Sequence, residues 1–184
     1  MSLTNTTKMA NRYGLNLKLY EYSANGSFGE AVLATIDFAN EVSLEISGDI
    51  TWATGGQAHS NQIGFKDPYE GTLKVSTQIV NGEILKLVSN TALSETGNGV
   101  SFKNDAGAMA PKYYMIKGET VWQGEDGTTY TEEIKCYKAC VKPGYSVTYN
   151  GSGDPQSLDV EFQLGANSAG KVVDIDRADV ASGS

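Results

Sequence analysis

Glu41-Val-Ser-Leu-Glu-Ile-Ser47 and Leu158-Asp-Val-Glu-Phe-Gln-Leu164 decide the fold class. In the first, Val42, Leu44 and Ile46 alternate with Glu41, Ser43, Glu45 and Ser47. In the second, Leu158, Val160, Phe162 and Leu164 alternate with Asp159, Glu161 and Gln163. A period of two puts the apolar set on one face of a strand and the polar set on the other, as in a sheet with one wet face. The alternation recurs upstream at Leu15, Leu17 and Leu19 and at Val32, Ala34, Ile36 and Phe38. It recurs downstream over Gly71–Val80, where Leu73, Val75 and Ile79 share a face. Residues 112–122, 129–142, 145–149 and 171–176 read as further strands. Turn chemistry separates them at 124–127, Pro143-Gly144 and 150–155. One short helix is expected over 82–89, from the stripe Ile84, Leu85 and Val88 with Asn81 as N-cap. The expected fold is mainly β, an antiparallel β-sandwich or partial barrel with one short α-helix. Its expected limits are a flexible N-terminal arm at 1–12, a β domain at 13–176 and a polar C-terminal tail at 177–184.

Between two of these strands the pattern stops. Residues 48–68 show no alternation, yet they carry Trp52, His59, Ile63 and Phe65. A loop beyond about 12–15 residues inside a compact domain is usually functional or disordered. Three of these four side chains are costly to leave in water, so ordering on a partner would account for the content. The plainer reading is a surface loop that tucks its aromatics onto its own domain.

Composition narrows the function classes. The chain has 184 residues with 14 Lys and Arg against 22 Asp and Glu, a formal net charge of −8. Such a chain does not wrap duplex nucleic acid by neutralising phosphates. No apolar run reaches the roughly 18 residues that span a bilayer. Cys136 and Cys140, four apart on an expected strand, would share a face about 13 Å apart, beyond disulfide reach. They read as free structural thiols. With two cysteines and one histidine, a zinc site would have to recruit carboxylates. No metal or cofactor is expected.

Nor does the sequence assemble a catalytic constellation. His59 is the sole imidazole, so a Ser–His–Asp or Cys–His site would have to use it, and no serine or cysteine has a local signature. It reads as a contact residue in a polar loop, and the expectation is that the protein is not an enzyme. Gly97–Gly99 and Gly151–Gly153 do not continue into a phosphate-binding fingerprint. Trp52 and Trp122 with Tyr13, Tyr113 and Tyr114 would suit a sugar-stacking platform, although strands use aromatics for packing as well. What remains is charge placement. Glu41, Glu45, Lys74, Asp159 and Glu161 all fall on polar strand faces, which would be ordinary solvated surface or, in a closed ring of copies, an acidic bore.

With these features the sequence resembles the tail tube (major tail) proteins of long-tailed bacteriophages. The strand pair 41–47 and 71–80 split by the long segment 48–68, the run from Glu70-Gly-Thr-Leu-Lys-Val-Ser-Thr-Gln into the short helix, and 158–164 followed by 171–176 carry the likeness. The resemblance implies hexameric rings stacked into a hollow tube that passes double-stranded DNA. The segment with Trp52, His59, Ile63 and Phe65 would be the inter-ring stacking loop, and Glu41, Glu45, Lys74, Asp159 and Glu161 would be candidates for the lumen. It implies as partners further copies of the chain, with tail terminator, baseplate or tip, and tape-measure proteins. DNA would pass without specific binding, and no membrane anchor is implied. The location implied is the virion tail, after assembly in the host bacterial cytoplasm. Two other readings stand beside it: a tube of a related contractile injection or type VI secretion device, and a monomeric carbohydrate-binding or adhesin-like β-sandwich.

Overall fold

The structure, a computed structural model, describes residues 9–11, 14–36, 39–55, 60–78, 82–91, 93, 99–104, 110–125, 127–142, 144–146 and 157–179. In chain order its elements are β1 (Met9–Asn11), β2 (Asn16–Glu21), β3 (Val32–Ile36), β4 (Ala39–Ser47), β5 (Ile50–Gly55), β6 (Ser60–Lys66), β7 (Glu70–Thr77), α1 (Gly82–Val88), β8 (Tyr113–Gly124), β9 (Thr129–Val141), β10 (Leu158–Leu164) and β11 (Val173–Asp179). Nine strands form one antiparallel sheet along the path β3-β2-β8-β9-β10-β7-β4, with β1 on β8 and β11 on β9. The fold is therefore mainly β, antiparallel and sandwich-like, with a single helix among the described residues. The barrel does not close, because β3 and β4 lie at opposite ends of the path and are not paired. They are nevertheless adjacent in sequence, and the three-residue step from Ile36 to Ala39 spans at most about 10 Å. The two ends of the sheet therefore come near each other at that corner.

The bend that allows this is written into β9. Its first half carries β11 on its edge and its last residues carry β10. Between the halves, Tyr114 pairs with Ala139 and Ile116 with Cys136, so β9 has one residue more than β8. That is a β-bulge, which bends a strand and raises its twist. The extra residue also swaps the alternation. Cys136 and Ala139, an odd offset apart, are both in the core, and Tyr137 joins a separate cluster with Tyr20 and Met115. Cys140 is half-buried while Cys136 is 1% exposed. The expectation that both thiols share a face is thus corrected, because uniform alternation does not survive a bulge. Both are free thiols.

Leu17, Leu19 and Ile36 from one half of the sheet share the main core with Leu73, Val75, Val160 and Phe162 from the other and with Ile84, Leu87 and Val88 of α1. Full burial of each aliphatic or phenyl group contributes about 1.5–3 kcal/mol. Gly118 lies opposite Leu17 and leaves room for it, since a Cβ there would sit 3.0 Å from a Leu17 methyl. The helix appears where the sequence places it. It ends in a Schellman motif, in which the Thr91 amide donates to the Lys86 carbonyl (2.8 Å) and the Asn90 amide to that of Leu87 (3.1 Å). Asn90 takes the left-handed conformation this needs, at φ 55°.

Several boundaries move. Met9–Asn11, expected in a flexible arm, form β1 against Gly124, Gln123 and Trp122 of β8. The last strand runs on to Asp179, beyond the expected limit at 176, because Asp176–Asp179 keep backbone pairing with Tyr130–Glu133. Residues 144–146 are not in a strand, and 147–149 lie outside the described residues, as do Asn81, Ile79 and Phe38. The largest change concerns 48–68. Instead of an irregular loop, Ile50–Gly55 and Ser60–Lys66 pair as a two-stranded antiparallel hairpin, separate from the main sheet.

Candidate functional site

The hairpin is closed at its base by Asp49 and Asp67. The Asp67 amide donates to the Asp49 carbonyl (2.9 Å), and the Thr51 hydroxyl donates to the Asp67 carboxylate (3.2 Å). From there β5 and β6 extend about 20 Å at the strand rise of 3.3 Å per residue. Among the described residues they pair with each other and with no other strand. Register sets Phe65 against Thr51, Gly64 against Trp52 and Ile63 against Ala53. Of the expected stacking residues, Ile63 and Phe65 therefore stand at alternate positions of one strand, and Trp52 falls in the cross-strand row between them. His59 lies outside the described residues. Phe65 is 58% exposed and Ile50 52%. Near the base, Tyr69 is half exposed under the Lys66 ammonium, 3.9 Å from its ring centre.

The second surface is the outer face of β4, β7 and β10. Cross-strand rows run Glu41–Ser76–Asp159, Ser43–Lys74–Glu161 and Glu45–Thr72–Gln163. All five lumen candidates are thus brought onto one face. Glu41, Ser43, Lys74, Asp159 and Glu161 line a shallow depression of about 420 Å³. Lys142 reaches Glu161 at 3.1 Å, and Gln163 donates to the same carboxylate oxygen at 3.0 Å. The Lys142 hydrogen bond, with the charges of Lys142 and Lys74, holds the Glu161 carboxyl below its ordinary range. Four carboxylates against one lysine in these five positions leave the face net negative.

A different electrostatic pattern covers the outer face of β2, β8, β9 and β11, and the alternation reading missed it. Lys18, Lys117 and Lys135 stand in one row, with Glu119, Glu133 and Asp176 in the next. Glu133 bridges Lys117 and Lys135, Lys135 reaches Asp176 at 3.1 Å, and Lys117 reaches Glu119 at 3.7 Å. Hydrogen bonds that the Lys135 ammonium donates to Glu133 and Asp176 raise its pKa well above the usual value. Burial opposes ionisation of Glu133, but its two lysine partners outweigh it and hold the carboxyl low. Asp174 is lowered by Lys171 (2.7 Å) and by the Tyr137 hydroxyl (2.6 Å). The signal lay in the offsets Lys117–Glu119 and Glu133–Lys135, visible in sequence but meaningless until register set them side by side.

Of the aromatics considered for a sugar-stacking platform, Tyr13 and the Trp52 side chain lie outside the described residues. Tyr114 is buried in the core, Tyr113 is exposed, and Trp122 sits nine residues along β8 under the Arg177 guanidinium at 4.9 Å. Arg177 in turn pairs with Glu132, which is 6% exposed. No cluster of three or more metal-ligating side chains occurs among the described residues. No helix among them is long and apolar enough to cross a membrane.

No protein-family model matches the chain, and no curated protein matches it. Similar solved chains include one from the cryo-EM structure of the anti-feeding prophage (AFP) baseplate, 6-fold symmetrised. That chain is 11% identical at a TM-score of 0.47, over 92% of this chain and 95% of that one.

Proposed function

We propose that the protein is a structural subunit of a phage-tail-like tube, polymerising as stacked hexameric rings around a bore that passes double-stranded DNA. The carrying observation is the β5–β6 hairpin, which stands apart from the main sheet with Phe65 and Ile50 more than half exposed. An isolated two-stranded hairpin is marginal in water. One with apolar side chains facing solvent gains most by packing against a second copy. A contact between different surfaces of identical copies is heterologous and, unless it closes, generates an open filament.

The acidic face of β4, β7 and β10 suits the bore. Phosphate–carboxylate repulsion opposes the Lys and Arg neutralisation that makes DNA stick, so a polyanion slides past it. The mechanism is physical: self-association supplies the wall, and its charge keeps the cargo moving. In this role the chain would work in the virion tail with terminator, baseplate or tip, and tape-measure proteins. It would perform no catalysis and hold no cofactor.

The test is a hairpin deletion. Because the Asp49 and Asp67 backbones are already hydrogen-bonded, residues 50–66 can be replaced by Asn-Gly without moving β4 or β7. The variant is expected to fold as a monomer and to form no tubes. Normal tubes from it would remove the hairpin from the assembly contact.

A further inference from the structure

A groove of about 660 Å³ lies where α1 ends, beside the last residues of β9. Val88, Phe102, Pro111, Val141 and Tyr145 are the large apolar residues among its lining. The Phe102 and Tyr145 rings meet at 5.7 Å between centres and are 58% and 39% exposed. Asn90 builds one rim. Its side-chain amide donates to the Ala110 carbonyl (2.7 Å), its side-chain oxygen accepts from the Lys112 amide (3.2 Å), and the Lys112 ammonium returns to the Asn90 carbonyl (2.7 Å). The residue that caps the helix therefore also fixes the 110–112 segment against it.

From this we infer that the groove is the socket for the β5–β6 hairpin of a second copy, a deepening that rests on the tube reading above. Two observations choose this occupant. The first is position. The hairpin leaves β4 and β7 beyond the row Ile46–Gly71–Leu164–Ala139, and from that row the end of β9 at Cys140 and Val141, with Lys142 after it, runs away from the hairpin. The plug thus leaves one end of the β4–β7–β10 layer, while the socket starts one residue inside that end, at Cys140 and Gln163, and extends the other way, an offset that suits a head-to-tail contact that repeats without closing. The second is charge. Among the described residues the lining holds Lys103 and Lys142 and no carboxylate, although the chain is net −8. Lys142 also holds Glu161. The hairpin and its base, 49–70, carry Asp49, Asp67 and Glu70 against Lys66. An acidic-based plug with an exposed phenyl ring complements an apolar socket with a cationic rim.

The socket contains its own reporter, since Cys140 lines it and Cys136 is buried. In Phe65→Cys protein under assembling conditions, a short bis-maleimide is expected to join copies by linking the introduced thiol to Cys140, giving a ladder of covalent multimers. The ladder is expected to vanish in Phe65→Cys/Cys140→Ser. Multimers that survive Cys140→Ser would mean hairpin-to-hairpin packing, and would overturn the socket while leaving the tube reading intact. A second measurement covers loss of assembly by the cysteine variant itself. Phe65→Ser and Phe102→Ser copies are each expected to stay monomeric, while their mixture forms a discrete one-junction complex from one intact plug and one intact socket. Wild-type assembly by Phe102→Ser would overturn the socket alone. Wild-type protein that never self-associates would overturn both readings.

Discussion

Phe65→Ser is expected to separate assembly from folding, because in the proposed tube Phe65 would contribute to the contact between copies while its ring is more than half exposed in the single chain. At 58% exposure of a side chain offering roughly 200 Å², about 115 Å² of apolar surface faces solvent in the single chain. Covering that area contributes at most about 3 kcal/mol at 25 cal/mol per Å², and tenfold in affinity takes about 1.4 kcal/mol. The substitution is therefore expected to raise the concentration needed for assembly by up to about 100-fold. The monomer should change by no more than about 0.5 kcal/mol, as usual for an exposed position. Sedimentation velocity across a dilution series reads the first quantity, and urea unfolding of dilute protein reads the second. An unchanged assembly threshold would refute the reasoning. So would a large loss of monomer stability, which would mean that Phe65 packs against its own chain.

Three further outcomes follow from the interior and the ion pairs. Phe162→Ala, at a side chain with 0% exposure between Val141 and Leu73 in the ladder, is expected to cost about 3–5 kcal/mol in urea unfolding. At pH 8, Cys140 is expected to react with a soluble maleimide well before Cys136, whose thiol burial pushes up to about 12. Peptide mapping of labelled native protein checks the order. Glu133 and Asp174 have carboxyls lowered by their cationic partners, so their stabilisation is present above the ordinary carboxylate range near pH 4 and is lost as pH falls through their lower folded values. The loss should be modest, since these pairs lie at the surface, with Glu133 and Asp174 27% and 31% exposed. Asp174→Asn should flatten the fall in urea midpoint as pH drops below the ordinary carboxylate range near pH 4.

The strands were legible because their alternation is clean. Val42, Leu44 and the apolar set of Leu158–Leu164 turn inward while Ile46, next to the hairpin, stays 41% exposed, and the five charged candidates came together because antiparallel register is nearly unshifted across β4, β7 and β10. The bulge at 136–139 was not legible, since nothing in Cys-Tyr-Lys-Ala announces an extra residue. Its consequence, opposite environments for two cysteines four apart, inverts a correct rule applied to an ideal strand. The hairpin was hidden for a related reason. Because β5 and β6 lie off the main sheet, they need not share its inward apolar row, so periodicity fails although the backbone pairs. The groove at the end of α1 depends on Asn90 joining segments 20 residues apart, which no local pattern encodes.

The most direct test of the central claim is negative-stain electron microscopy of the purified protein, dilute and then concentrated, with light scattering for mass. Dispersed subunits are expected to give way to rings and to hollow tubes whose bore admits a DNA duplex. Particles that remain the mass of one chain at every concentration, or solid fibres with no bore, would contradict that claim.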